Sequence, residues 1–157
     1  MNFPQPAALF LPHRPPMLYV QHALAVDDRS AVCETALDDT FAPFFAAAAD
    51  GTDALPAHFL LEIIAQSIGV WAGYHTLQKG EAAKSGMFLG CRDFTTVRPE
   101  YPRGDILRIE VKLLVLDGAT GSFEGVVLCA GERIASATLT THQVTWEQLD
   151  ALLHPQH

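Results

Sequence analysis

Pro56-Ala-His-Phe-Leu-Leu-Glu-Ile-Ile-Ala-Gln-Ser-Ile-Gly-Val-Trp-Ala-Gly-Tyr-His-Thr-Leu-Gln78 is the stretch around which the chain must fold. Proline suits the first turn of a helix, where its missing N–H loses no partner. The next proline is Pro99, and Gly80 stands where a helix would stop. The stretch predicts a helix that is apolar on nearly every face and is therefore enclosed by its own protein. Its length would also span a bilayer. Glu62, Gln66 and two histidines inside it argue against that, because charge at such depth is costly. His58, Glu62, Gln66, Gly69 and Gly73 follow at steps of three or four and share one face. Glycines on a helix face cost stability, so something is expected to pack very close to Gly69 and Gly73.

Downstream, Met87–Phe94 reads as a strand with a bulge or close neighbour at Gly90. Pro99–Asp105 reads as a turn. Leu107, Ile109, Val111, Leu113 and Val115 alternate with polar residues as far as Lys112, the pattern of a half-buried antiparallel strand. Turns at Asp117-Gly118, Thr120-Gly121 and Gly131-Glu132 then return the chain through Ser122–Ala130 and Arg133–Gln143. Thr145–Leu153 predicts a short terminal helix capped by Thr145, with Gln148 three residues on. Upstream, five prolines among the first 16 residues allow only a helical turn near Ala7–Phe10. Met17–Val26 and Ser30–Leu37 read as paired strands. Phe41-Ala-Pro-Phe-Phe45 reads as a core-plugging loop. The elements combine as α+β: one antiparallel sheet curled around a long central helix. A sheet edge stays free, so the chain is expected to dimerise.

The 157 residues fit a single domain, 1–157, with its core over 9–143 and the short helix over 145–153. A net charge of −8 argues against nucleic acid or an anionic membrane as partner. Seven of the ten basic residues nevertheless fall between Lys79 and Lys112. They are either a solvated strand surface or a docking patch for an acidic partner. Cys33, Cys91 and Cys129 are odd in number and lack zinc spacing, and no histidine pair has a ligand spacing, so no metal is expected. No basic start followed by an apolar run suggests a signal peptide, and a cytoplasmic location follows.

Several segments together resemble the hot-dog 3-hydroxyacyl-acyl-carrier-protein dehydratases. They are Leu11-Pro-His-Arg14 with Pro16-Met-Leu-Tyr-Val20, Pro43-Phe-Phe45 and Leu55-Pro-Ala-His-Phe-Leu-Leu-Glu-Ile-Ile-Ala-Gln66, followed by Phe88-Leu-Gly90, Arg103-Gly-Asp105, Phe123-Glu-Gly125 and Gly131-Glu-Arg-Ile-Ala135. Each is weak alone, and in this order they are specific. Gly-Val-Trp-Ala-Gly73 after Ile-Ala-Gln66 is closer still to the dehydratase-like proteins of aryl polyene pigment pathways. The resemblance implies a dimeric hot-dog fold and no cofactor. The implied reaction is β-elimination of water from a 3-hydroxyacyl thioester carried on an acyl carrier protein.

Such an elimination needs a base for the proton next to the carbonyl, an acid for the departing hydroxyl and donors for the thioester oxygen. The resemblance implies Glu62 as the acid, and apolar burial would keep it protonated near neutrality. It implies N–H groups at the helix start as donors, with Ala57 where the family has glycine. Gln66 would hold hydrogen bonds of the site or simply be satisfied by strand backbone. The family's histidine lies in a His-Phe-Pro-Gly stretch fourteen residues before the glutamate. Here that position is Ala48, and only Gly51 matches the stretch. The base would then come from another chain in a heterodimer. Alternatively, His58, one turn before Glu62, would serve as the base, or the chain would be a non-catalytic acyl-binding or stabilising subunit. A thioesterase is a further reading on the same fold. Lys79, Lys84, Arg92, Arg98 and Arg103 are the candidate landing surface for the acidic carrier protein. His13, in the opening motif, reads as a hydrogen-bonded structural histidine.

Overall fold

The computed structural model describes residues 1–81, 85–144, 151 and 154, with backbone alone for Ser85, Met87 and Val144. The helix expected over 145–153 therefore lies almost wholly outside the described residues. The chain opens with β1 (Gln5–Pro6) and a 3-10 turn (Ala7–Leu9), then β2 (His22–Val26) and β3 (Ser30–Ala36). A second 3-10 segment (Asp39–Phe44) leads to β4 (Ala46–Ala47) and β5 (Asp53–Pro56). The long helix α1 (Phe59–Gln78) follows, then β6 (Ser85–Thr96), β7 (Glu100–Pro102), β8 (Ile106–Asp117), β9 (Thr120–Cys129) and β10 (Glu132–Val144). Seven strands form one sheet in the order β1-β2-β3-β8-β9-β10-β6, and its pairs are antiparallel. A small second sheet has the order β4-β5-β7. The large sheet curls around α1, the hot-dog arrangement.

The helix begins later than expected. Pro56 is in β5, opposite Glu100, and His58 is the helix N-cap. The proline thus ends a strand rather than opening a helix. Leu60, Ile63, Ile64 and Ser67 are buried. Gly125 in β9 explains how closely the helix approaches the sheet, because a Cβ there would overlap Ile64 Cγ2. The other end behaves as read: Gly80 follows the helix with φ +65°.

Two strand readings need correction. Residues 17–20 lie outside the sheet ladder and run along α1 instead, because the Gln66 amide takes up their backbone groups. The alternation of β8 holds from Leu107 to Leu113, then fails. A register shift opposite β9 between Leu113 and Val115 leaves Val115 63% exposed. The shift expected near Gly90 is present, between Thr140 and Thr141 of the partner strand.

What packs against the two helix glycines is the segment from Phe10 to Val20, a strap laid along α1. A Cβ on Gly73 would fall on the Phe10 carbonyl, 2.9 Å from its carbon, and one on Gly69 would lie 2.8 Å from Leu11 Cδ2. Further along, Gln66 Nε2 donates to Met17 O at 2.7 Å, while Gln66 Oε1 accepts from the N–H of Tyr19 at 2.8 Å and of Val20 at 3.3 Å. Trp71, Tyr74 and Phe59 are packing residues: Trp71 meets Phe123, Tyr74 meets Phe3 and Phe10, and Phe59 meets Tyr19 and Phe44.

The cysteines test this burial. Cys33 is enclosed, and desolvation pushes its thiol up to about 12. Cys91 is exposed on β6, with its thiol raised by desolvation and by Asp93. A thiol reagent near neutral pH is expected to modify Cys91 first and Cys33 only on unfolding. Modification of Cys33 in the native chain, read by mass spectrometry, would refute the packing described here.

Candidate active site

Glu62 sits in the first turn of α1. The sheet covers the Leu60, Ile63 and Ile64 side, and the strap covers the face from Gln66 to Gly73. The turn between them is left open, so Glu62 is exposed in the single chain. The dry surroundings expected for it are absent from one protomer alone. No ion pair engages Glu62 among the described residues. Its charge is felt by His13 and Tyr19, both in the strap.

The helix start offers donors, but not the expected one. The Ala57 N–H donates to Pro99 O at 2.9 Å. The first helical bonds run from Leu60 N to Ala57 O and from Leu61 N to His58 O. Among the described residues, the N–H groups of His58 and Phe59 have no such partner. These are the unsatisfied donors that every helix start presents, at its positive dipole end. An oxyanion could use His58 N–H and Phe59 N–H, whereas Ala57 serves to tie the helix start to the loop before β7.

Gln66 is 5% exposed and holds the strap with both ends of its amide. Losing it would leave buried backbone groups unsatisfied, at roughly 1–3 kcal/mol each. His58 is exposed, its ring 4.9 Å from that of Phe59. It shares the Glu62 face one turn earlier, as the spacing required.

The Ala48 loop is a tight, self-bonded turn. Ala48 N donates to Thr52 O at 2.7 Å, and Gly51 N donates to Ala48 O at 2.9 Å. Asp50 Oδ1 accepts from Thr52 N at 3.0 Å and Thr52 Oγ1 at 2.6 Å. Gly51 takes φ +84°, which favours glycine. Beside the loop lies a cavity of about 310 Å3, lined by Ala48, Asp50, Thr52, Arg98, Pro99 and Glu100 among others. Glu62 does not line it. Within one chain the Glu62 turn and the Ala48 loop are therefore separate features.

The basic residues divide. Lys79 caps the helix end and is exposed, as is Arg92 on β6, while Arg98 lines the cavity. Arg103 is committed within the chain, paired with Asp39 and with Asp53 at 3.1 Å, its guanidinium 5.2 Å from the Phe45 ring centre. Lys84 lies outside the described residues. The sequence reading did not place His13, taken as a structural histidine, or Tyr19 near the Glu62 turn. Only the fold brings them there, from more than forty positions away.

Known proteins were compared with this arrangement. Residues 5–154 match the ApeP-like family, described as ApeP dehydratase. The 3-hydroxyacyl-acyl-carrier-protein dehydratase FabZ of Pelotomaculum thermopropionicum is 31% identical over 129 residues, 82% of this chain and 89% of that protein. FabZ of Herpetosiphon aurantiacus is 35% identical over 103 residues, 66% of this chain and 70% of that protein. Among solved structures, a chain of the dehydratase heterocomplex ApeI:P from Xenorhabdus doucetiae is similar, with a TM-score of 0.87 and 33% identity, covering 96% of this chain and 98% of that one. Among the described residues, no helix is long and apolar enough to cross a membrane.

Proposed function

This chain belongs to the ApeP-like dehydratase family, and from that premise we propose that it is the acid-bearing subunit of a heteromeric dehydratase. Glu62 protonates the departing hydroxyl of a 3-hydroxyacyl thioester. A histidine from a second hot-dog chain removes the proton next to the carbonyl. The N–H groups of His58 and Phe59 stabilise the thioester oxygen as it gains charge. The observation that carries this reading is the Ala48 loop: its turn is bonded closed beside an accessible cavity, with an alanine where the family's histidine would stand. The exposure of Glu62 fits the same reading, since a seated partner would enclose it and raise the energy of its charged form. The heteromeric ApeI:P dehydratase supports this by similarity.

The partner seats on β6. That strand ends the large sheet, and Phe88 and Leu89 on it are 53% and 56% exposed. The acyl group arrives on an acidic carrier protein, and Lys79, Arg92 and Arg98, which form no ion pair among the described residues, are placed to receive it.

The purified lone chain is expected to show little turnover of a 3-hydroxyacyl-carrier-protein substrate. Addition of a histidine-bearing hot-dog subunit should restore it, with Cys91 becoming protected from thiol reagents as β6 is covered. Full activity of the lone chain, lost on His58→Ala, would favour an in-chain base instead. Support of the partner's turnover by Glu62→Ala would make this chain a structural subunit, and release of free acid from the thioester would make it a thioesterase.

A further inference from the structure

The end of the large sheet that carries the β8–β9 turn is apolar and open. Leu114 and Leu116 at the close of β8 are 38% and 55% exposed. The register shift between Leu113 and Val115 sets which way they face. Arg29 holds the shifted backbone, its Nη2 donating to Leu113 O at 3.0 Å and to Leu114 O at 3.2 Å. Beyond the shift, Leu116 stands opposite Gly121, two residues before Phe123 on β9. A strand's side chains alternate, so Leu116, Gly121 and Phe123 share the core face. A Cβ on Gly121 would lie 2.7 Å from the Phe123 ring and 3.6 Å from Leu116 Cδ1, as one shared face requires. Thr141 on β10 pairs with Gly121 and continues the row. Trp71 of α1 covers Phe123, and Leu116 lies past it. The last turn of α1 is tied to the β2–β3 turn instead, with His75 Nε2 2.8 Å from Asp27 O. A leucine is thus turned onto the core face, beside a glycine floor, and still left open.

We propose that the row from Thr141 through Gly121 to Leu116 is the seat of the chain's own C-terminal segment, Thr145–Leu153, docked as an amphipathic helix. The chain leaves the sheet at the right place. Gln143 N donates to Ala119 O at 2.9 Å, so β10 ends against the β8–β9 turn. A helix over 145–153 reaches about 14 Å at about 1.5 Å per residue. Crossing from β10 over β9 to β8 takes two strand spacings, about 10 Å. The segment is long enough to bring its apolar side onto Leu116.

That side is written in the sequence. Trp146, Leu149 and Leu153 recur at steps of three and four, with Leu152 beside them, and make one stripe. Ala151 belongs to the opposite side of the same helix. It is helical and exposed, as a helix seated by its stripe requires. The family match runs on to residue 154, so the segment is part of the matched domain. Tethering at Val144 holds the stripe beside its seat at an effective concentration on the order of millimolar, ahead of a second copy in dilute solution. The seat lies past the last turn of α1 and Glu62 is in the first, so docking leaves the acid open.

Hydrogen exchange of the whole chain, read by mass spectrometry on peptides covering 145–153, tests the docking. These amides are expected to exchange slowly, and equally slowly on dilution. Leu116→Glu should speed them roughly 10-fold or more, the loss of one buried leucine read as a shift in the docking equilibrium. Val115→Glu, opposite Ser122 on the other face of the sheet, should leave them unmoved. Leu149→Glu should match Leu116→Glu. It lies outside the sheet, so it decides the matter even where the strand variant fails to fold. Exchange of the parent chain at the rate of an unstructured peptide would overturn the proposal. Protection insensitive to both glutamates would do the same. Protection lost on dilution would assign the seat to a second copy, and docking within the chain would fall.

Discussion

Ala48→His is expected to give the lone chain dehydratase activity, raising turnover roughly 10²- to 10⁴-fold, the range ascribed to a placed general base or acid. The loop needs no rebuilding to accept the ring. Its turn is held by Ala48 and Gly51 backbone bonds and by Asp50 bonding to Thr52, none of which uses the Ala48 side chain. Ala48 lines a cavity of about 310 Å3, which gives an imidazole room. The base and Glu62 are not brought together within one chain, so the gain requires two copies facing each other. Light scattering on the same sample should therefore show a dimer. If the chain is monomeric, the variant belongs in a complex whose partner has lost its own histidine but keeps an acid, where it should recover turnover. A properly assembled variant that turns over no faster than the parent would sink the two-half-site reading.

Gly73→Ala is expected to cost about 2 kcal/mol or more of stability and to release the strap, although alanine is the better helix former by about 1 kcal/mol. The new methyl would meet the Phe10 carbonyl, which is backbone and cannot rotate away. Relief means lifting the strap. That exposes Phe10 and Leu11, which are 7% and 5% exposed, and strains the Gln66 bonds to residues 17–20. Gly69→Ala is the matched control. There the nearest atom is Leu11 Cδ2, the end of a flexible side chain, so the cost should be small or be offset by helix propensity. Denaturant unfolding of the two variants should separate them clearly. Equal midpoints would show that the strap does not lie on the helix as described. Because Tyr19 of the strap packs on Phe59 in the turn that carries Glu62, Gly73→Ala should also reduce turnover of the complex beyond what its stability predicts.

The contrast between these two glycines marks where sequence reading stops. Steps of three and four put His58, Glu62, Gln66, Gly69 and Gly73 on one face, and glycine's missing Cβ implied a close neighbour. Local periodicity and steric logic suffice for that. The alternation in β8 likewise placed Leu107 to Leu113 toward the core, because a strand's side chains must alternate. That Ala48 stands where a histidine would be expected came from the family resemblance, which supplied the fourteen-residue spacing from Glu62.

Other features depended on atoms that meet only after folding. Pro56 ended a strand because β7 pairs with β5, and the Ala57 N–H was taken by Pro99 O from across the chain. Residues 17–20 left the sheet because a buried amide on α1 met their backbone needs. Arg103 carried the same charge as its neighbours in sequence, yet folding set two carboxylates beside it. Glu62 proved open to solvent because the sheet covers one side of its turn and the strap another, and no pattern within α1 encodes the gap between them. Helical and strand periods are properties of neighbours along the chain. Which face is covered, and by which distant segment, is a property of the assembled molecule.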